Sequence, residues 1–177
     1  MRRVVRTGAV LAVAGGLLAG CGGAPTNSAT PDNAVANSAV AAPIKSLPSG
    51  VESHLSSYSS RIQKVDKLPV QVPSNVDRVL VISPAVGYAI SQFQSVWPKL
   101  DPKPAVVWSG MTEAQTKQMW SKLGYHGDPL PSPVTLYDKA SVPVPAAYRK
   151  VSGGWEEVPG VLKSSEVNQW VNFFSKN

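Results

Sequence analysis

The chain has 177 residues, 43% of them hydrophobic and 16% charged, with 16 prolines, 14 glycines and one cysteine. A single cysteine excludes a disulfide-stapled fold and any intramolecular dithiol chemistry. The net charge of +6 sets 17 Lys and Arg against 11 Asp and Glu. Three of the seventeen, Arg2, Arg3 and Arg6, precede an apolar run and the rest are scattered. That arrangement lacks the basic stripe a nucleic-acid groove needs, so nucleic acid is not an expected partner.

Residues 1–20 have the order of a targeting segment: a basic start, an apolar and small-residue stretch over residues 8–18, then Leu18-Ala19-Gly20-Cys21. An ordinary secretory signal with an incidental cysteine, or a retained span, are the other readings; the run falls short of the roughly 18 to 20 residues a bilayer span needs. The tetrapeptide resembles the lipobox of bacterial lipoproteins. That resemblance implies that Cys21 is lipidated (palmitate among its acyl chains), becomes the first mature residue and anchors the chain to a lipid bilayer, its thiol consumed as a thioether. Gly22 follows where an aspartate commonly retains lipoproteins at the inner membrane of diderm bacteria. The implied location is the cell envelope, and in a diderm the outer membrane facing the periplasm.

Residues 22–42 are rich in Gly, Ala, Ser, Thr, Asn and Pro, with one charge, Asp32, and no aromatic side chain. So little apolar surface cannot offset the entropy of ordering, and residues 21–48 read as a lipidated cysteine and a flexible linker. In residues 49–67, Val51, Leu55, Tyr58, Ile62 and Val65 are spaced 4, 3, 4, 3. This predicts an amphipathic helix, with its connector filling residues 49–75, that packs on its own domain or serves as a partner or dimerisation helix.

Residues 76–177 predict one small α/β domain. Residues 78–82 form a β-branched run ending at Ser83-Pro84, and Val86, Ala89, Ile90, Phe93, Val96 and Trp97 follow at helical spacing. Residues 105–108 predict a second buried strand. Thr112-Glu113-Ala114-Gln115 predicts a capping box opening a helix that stops at Gly124. A proline-rich passage with a short strand at 134–137 leads to a hairpin, residues 146–151 and 155–158, turning at Ser152-Gly153-Gly154. Ser164 or Ser165 is expected to cap a last helix carrying Val167, Trp170, Val171 and Phe174. Trp97, Trp108, Trp120 and Trp170 are expected in the core, and Trp155 half exposed.

The order βαβ-α-ββα resembles the thioredoxin fold, in the manner of the disulfide isomerase-like proteins. In that family a strand runs into a loop holding Cys-x-x-Cys at the start of a helix. The matching stretch here is Ser83-Pro84-Ala85-Val86-Gly87-Tyr88-Ala89, in which Val86 and Ala89 occupy the cysteine positions. Val144-Pro145-Ala146-Ala147-Tyr148 resembles the segment holding the family's cis-proline, and Gly160 the glycine before the last helix. The resemblance implies a thioredoxin-like sandwich. It also implies a degenerate, apolar binding surface of Val86, Gly87, Tyr88, Ala89 and Pro145, open to an extended protein segment.

Thiol exchange needs a lowered-pKa thiolate and a resolving thiol, and neither Val86 nor Ala89 supplies one. No metal-ligand spacing, phosphate loop or nucleophile elbow occurs, so no cofactor is expected. Glu156 and Glu157 are adjacent on a predicted strand and point to opposite faces, which argues against a carboxylate dyad. Two functions stay open. One is an inactive, protein-binding or scaffold lipoprotein of an envelope machine such as a conjugation, secretion or pilus system; the other is an envelope enzyme using non-thiol groups around His126 and Asp128.

Overall fold

The computed structural model describes residues 47–140 and 142–176; Cys21, its lipobox and the tether through residue 46 lie outside them. The elements in chain order are α1 (Ser49–His54), α2 (Tyr58–Arg61), β1 (Gln63–Val65), β2 (Arg78–Ile82), α3 (Gly87–Val96), β3 (Ala105–Ser109), α4 (Glu113–Lys122), β4 (Thr135–Asp138), β5 (Ala146–Val151), β6 (Gly154–Pro159) and α5 (Gln169–Ser175). Short 3-10 turns at Trp97–Lys99 and Ser164–Glu166 complete it.

β2 and β3 are buried along their whole length, as the apolar runs 79–82 and 105–108 within them require. They are central in a six-stranded mixed α/β sheet of order β1-β6-β5-β2-β3-β4. β2, β3 and β4 run parallel, while β5 is antiparallel to β2, β6 to β5, and β1 to β6. Along β2 the alternation divides the core. Leu80 and Ile82 belong to one apolar cluster, Val79 and Val81 to another on the opposite face.

The first cluster holds the buried residues of all three longer helices: Ile90 and Phe93 of α3, Trp120 of α4, and Trp170, Phe173 and Phe174 of α5. Chirality explains why α4 joins α3 there. The chain steps from β2 to β3 to β4 in one direction across the sheet, and right-handed crossovers then place both connecting helices on the same side. The other face is covered by irregular chain. Leu68, Val70, Val72 and Val76 lie over Val79, Val81 and Val107, with Val142 and Val144 beside them.

Local signals account for the helices. Thr112 Oγ1 accepts from the Gln115 N–H while the Gln115 side chain accepts from the Thr112 N–H, a complete capping box. α4 ends before Gly124, whose φ of 82° suits a residue without Cβ. α5 starts later than Ser164 or Ser165 would place it, because those serines lie in a 3-10 turn and Asn168 takes the N-cap without a side-chain bond. Its other end is satisfied from the sheet: Arg78 Nε donates to the Phe174 carbonyl and Arg149 Nη1 to that of Phe173. Phe173, outside the predicted stripe, is fully buried there. Trp97, Trp108, Trp120 and Trp170 are buried and Trp155 is half-buried, as expected.

The single helix expected over residues 49–67 does not form. The chain breaks at Leu55–Ser57, re-enters a four-residue helix and then pairs as β1 with β6 in the register Val65↔Trp155. Serines, which are poor helix-interior residues, cluster around the break at positions 53, 56, 57, 59 and 60. Ser60 Oγ bonds the Ser57 carbonyl, and such local bonds compete with helix continuation. The expected stripe is divided between the faces of the sheet: Tyr58 and Ile62 pack on the helix side, Val65 on the other, and Val51 stays exposed. Residues 49–75 therefore belong to the folded domain. Glu166 accepts from the Tyr58 N–H at 3.2 Å, Glu52 from the Ser164 N–H, and Arg61 donates to the Val161 carbonyl.

Gly154 lies against the end of β1. A Cβ there would stand 2.8 Å from the Val65 carbonyl oxygen, a backbone atom that cannot turn aside. Gly154→Ala is expected to detach β1 and to cost about 2 kcal/mol. Urea unfolding and amide exchange at Gln63–Val65 check this; unchanged protection of those amides would contradict it.

Candidate functional site

The proposed binding surface begins where β2 ends. Val86 N–H donates to the Ser83 carbonyl at 3.0 Å and Ala85 N–H to Ser83 Oγ at 3.3 Å, closing a tight turn that delivers the chain into α3. Val86 is the N-cap, and because its side chain has no acceptor, no side-chain bond satisfies the first N–H groups of α3. Ala89 stands one turn on. The sequence assigned these two positions to the start of a helix, and they lie there.

Three segments converge at this point. The register Val81↔Ala146 sets Pro145 beside the end of β2, and the Val144–Pro145 peptide is cis. The Pro145 carbonyl accepts from the Gly160 N–H at 2.7 Å. Gln92, buried in α3, holds the third segment as a strand would: its Nε2 donates to the Leu162 carbonyl at 2.5 Å and its Oε1 accepts from the Leu162 N–H at 3.0 Å. Gln92 is not legible in the sequence, since a glutamine within a helix carries no signal of a partner 70 residues away.

Not all five expected residues form a surface. Ala89 is fully buried and Pro145 is buried beneath its neighbours, so neither is open to a partner. Ala89 points inward on the face of α3 that packs on the sheet, and Pro145 is covered where the β5 and β6 ends meet. What remains open is Ala85, Val86, Gly87 and Tyr88. Tyr88 is 38% exposed and, with Val51, one of two large hydrophobic residues so exposed among the described residues. Apart from the Tyr88 phenol, these four carry no reactive side chain.

His126 does not line the groove that Asp128 lines. An open groove of about 380 Å³ lies between α4 and β4, lined by Glu113, Lys117, Asp128, Ser132, Thr135 and Tyr137 among others; His126 is exposed outside it. Lys117 Nζ lies 2.7 Å from Glu113 Oε1, and this hydrogen bond, then the carboxylate charge, raises the lysine above its ordinary value. Burial pushes the Tyr137 phenol up, and the Glu113 and Asp128 charges add to it while Lys117 opposes. This groove has no local sequence signature, because its walls come from α4, the 128–132 loop and β4.

Glu156 and Glu157 divide as expected. Glu156 pairs with Arg149, whose guanidinium lies 4.9 Å from the Phe173 ring on the helix side. Glu157 accepts from the Tyr148 hydroxyl at 2.8 Å and from Gln63 Nε2 at 2.7 Å. Burial, the bond to Glu157 and its charge all push the Tyr148 phenol far above its ordinary range. Among the described residues no group of three or more His, Cys, Asp or Glu could hold a metal ion, and no helix is long and apolar enough to cross a membrane. Comparison with protein-family models, with curated proteins and with solved structures gives no match.

Proposed function

We propose that the chain is a lipid-anchored envelope protein whose thioredoxin-like domain, lacking a dithiol, binds protein partners as a scaffold or accessory part of a conjugation, secretion or pilus machine. The observation that carries this reading is Tyr88, exposed beside Ala85 and Val86 on a turn that holds no catalytic pair. A partly exposed aromatic flanked by small apolar groups is the composition of an interface anchor, not of a reaction centre. The sheet order β6-β5-β2-β3, with α3 following β2 and α5 following β6, supports the thioredoxin-like assignment. The parallel β4 and the placement of α4 on the side of α3 are additions to that plan.

The anchor rests on the sequence Leu18-Ala19-Gly20-Cys21. Lipidation at one cysteine would hold the domain near a bilayer, with the small and polar residues that follow as the tether.

One experiment addresses both parts. A photo-crosslinking amino acid at position 88 of the full chain, activated in envelope membranes, is expected to give discrete protein adducts that the same residue at exposed Lys150 does not give. Cys21→Ser is expected to move the chain from the membrane to the soluble fraction, to abolish fatty-acid labelling and to remove the adducts. Equal adducts at positions 88 and 150 would overturn the binding surface. Membrane fractionation and acyl labelling unchanged in Cys21→Ser would overturn the anchor.

A further inference from the structure

The outer edge of β4 has a different character from the rest of the domain. Val106 N–H donates to the Val134 carbonyl at 2.9 Å and Gly110 N–H to the Asp138 carbonyl at 2.8 Å. In a parallel ladder the bonded residues alternate, so Val134, Leu136 and Asp138 turn their main chain to β3 while Thr135 and Tyr137 turn theirs outward. β4 ends the sheet order, and among the described residues no strand lies beyond it. The opposite edge, β1, carries the exposed Lys64 at its middle position, a common device against strand pairing. Thr135-Leu136-Tyr137 has no such guard.

Side chains on the two faces of this edge differ. By register with Val106 and Trp108, Thr135 and Tyr137 lie on the helix side, where they line the groove shared with α4. Leu136 lies on the other side and packs against the second apolar cluster. Lys117 is matched by Glu113 at 2.7 Å, so the Asp128 carboxylate is the charge left over in the groove. Thr135 and Tyr137 line the same groove and add hydroxyls to its wall, while the Ser132 hydroxyl is held by the Pro104 and Val134 main chain.

We propose that the β4 edge accepts an extended segment of a partner polypeptide as an added strand, with basic side chains alternating with β-branched ones. Main-chain bonds to Thr135 and Tyr137 supply the pairing. The basic residues fall on the helix side, toward the groove and Asp128, and the β-branched residues fall beside Leu136. A second copy of the chain is the poorer occupant. Two-fold pairing would set two grooves of the same net sign against each other, and a four-residue edge is small beside the ~800 Å² per partner of a stable interface. This surface is separate from the α3 turn, so failure at one leaves the other standing.

The test uses the full chain and a labelled peptide, acetyl-Gly-Lys-Val-Lys-Val-Lys-Gly-amide, by fluorescence anisotropy. It is expected to bind at least tenfold more tightly than the counterpart with Glu at each Lys, against the general attraction of a chain of net charge +6 for an acidic peptide. Thr135→Pro removes an outward N–H and leaves the β3 ladder intact, and is expected to weaken binding at least tenfold. Asp128→Asn is expected to weaken it about threefold to tenfold. Circular dichroism checks the fold of Thr135→Pro. If that variant does not fold, two further peptides decide, one N-methylated at the lysines and one at the valines: one set is expected to lose binding and the other to keep it. Equal affinity for the Lys and Glu peptides, unchanged binding by a folded Thr135→Pro, or parent-like binding by both methylated peptides would overturn the proposal.

Discussion

Trp170→Ala is expected to cost about 3–5 kcal/mol, the range for truncating a large aromatic in a packed core. α5 has seven residues, too few to persist without packing, and the buried Trp170 is its central anchor. The indole stacks on Phe93 of α3 with centroids 4.0 Å apart and planes at 17°. Its loss would open a cavity between α3 and α5 and weaken the contacts that let Arg78 and Arg149 reach the last carbonyls of α5. Trp170→Phe should behave differently. The indole N–H is buried with no hydrogen-bond partner, so phenylalanine removes an unsatisfied donor along with part of the ring, and the expected cost stays below about 1.5 kcal/mol. Urea unfolding followed by circular dichroism measures both. A Trp170→Ala variant within 1 kcal/mol of the parent would mean that α5 is not held by this stack.

The same packing shows which parts of the fold were legible beforehand. β2 and β3 could be read because four-residue apolar runs, 79–82 before Ser83-Pro84 and 105–108 before Ser109-Gly110, fit little but buried strands, and both strands are fully buried. α4 could be read because Thr112 and Gln115 carry a two-sided local signal, which both bonds realise. Residues 49–67 misled because the spacing of Val51, Leu55, Tyr58, Ile62 and Val65 matches a helix, while the alternative, pairing of Gln63–Val65 with β6, lies some 90 residues away in sequence. The side on which α4 packs was equally hidden. It depends on β4 pairing outside β3, and a four-residue strand among prolines carries little periodicity. At the α3 turn, helix position was legible from local residues, but burial was not. Ala89 is buried on the apolar stripe it shares with Ile90 and Phe93, a pattern that argued for core and not for surface, whereas Pro145 is covered where the ends of β5 and β6 meet, which no local pattern encodes.

Val86→Cys with Ala89→Cys, made in a Cys21→Ser background so that no other thiol is present, is expected to give a folded protein with one intramolecular disulfide. Position 86 is the N-cap of α3 and position 89 lies one turn later, a separation of roughly 5–6 Å between Cβ atoms that a modest adjustment brings within disulfide reach. The two thiols should differ in reactivity. Ala89 is fully buried, so a sulfur there meets the core and reacts slowly with alkylating reagents, whereas Val86 is half-buried and within reach of solvent. The first N–H groups of α3 have no side-chain cap, and their partial positive charge favours the thiolate at position 86. Its pKa should therefore fall below the ~8.5 of a free cysteine, so that alkylation in the reduced protein reaches half its maximal rate at a pH below that value. Mass spectrometry of the oxidised protein reads the disulfide, and the pH profile of iodoacetamide labelling reads the shift. A folded double variant whose thiols stay unbridged under an oxidant would remove the helix start from residue 87. An ordinary thiol profile at position 86 would mean that the uncapped amides of α3 do not face it.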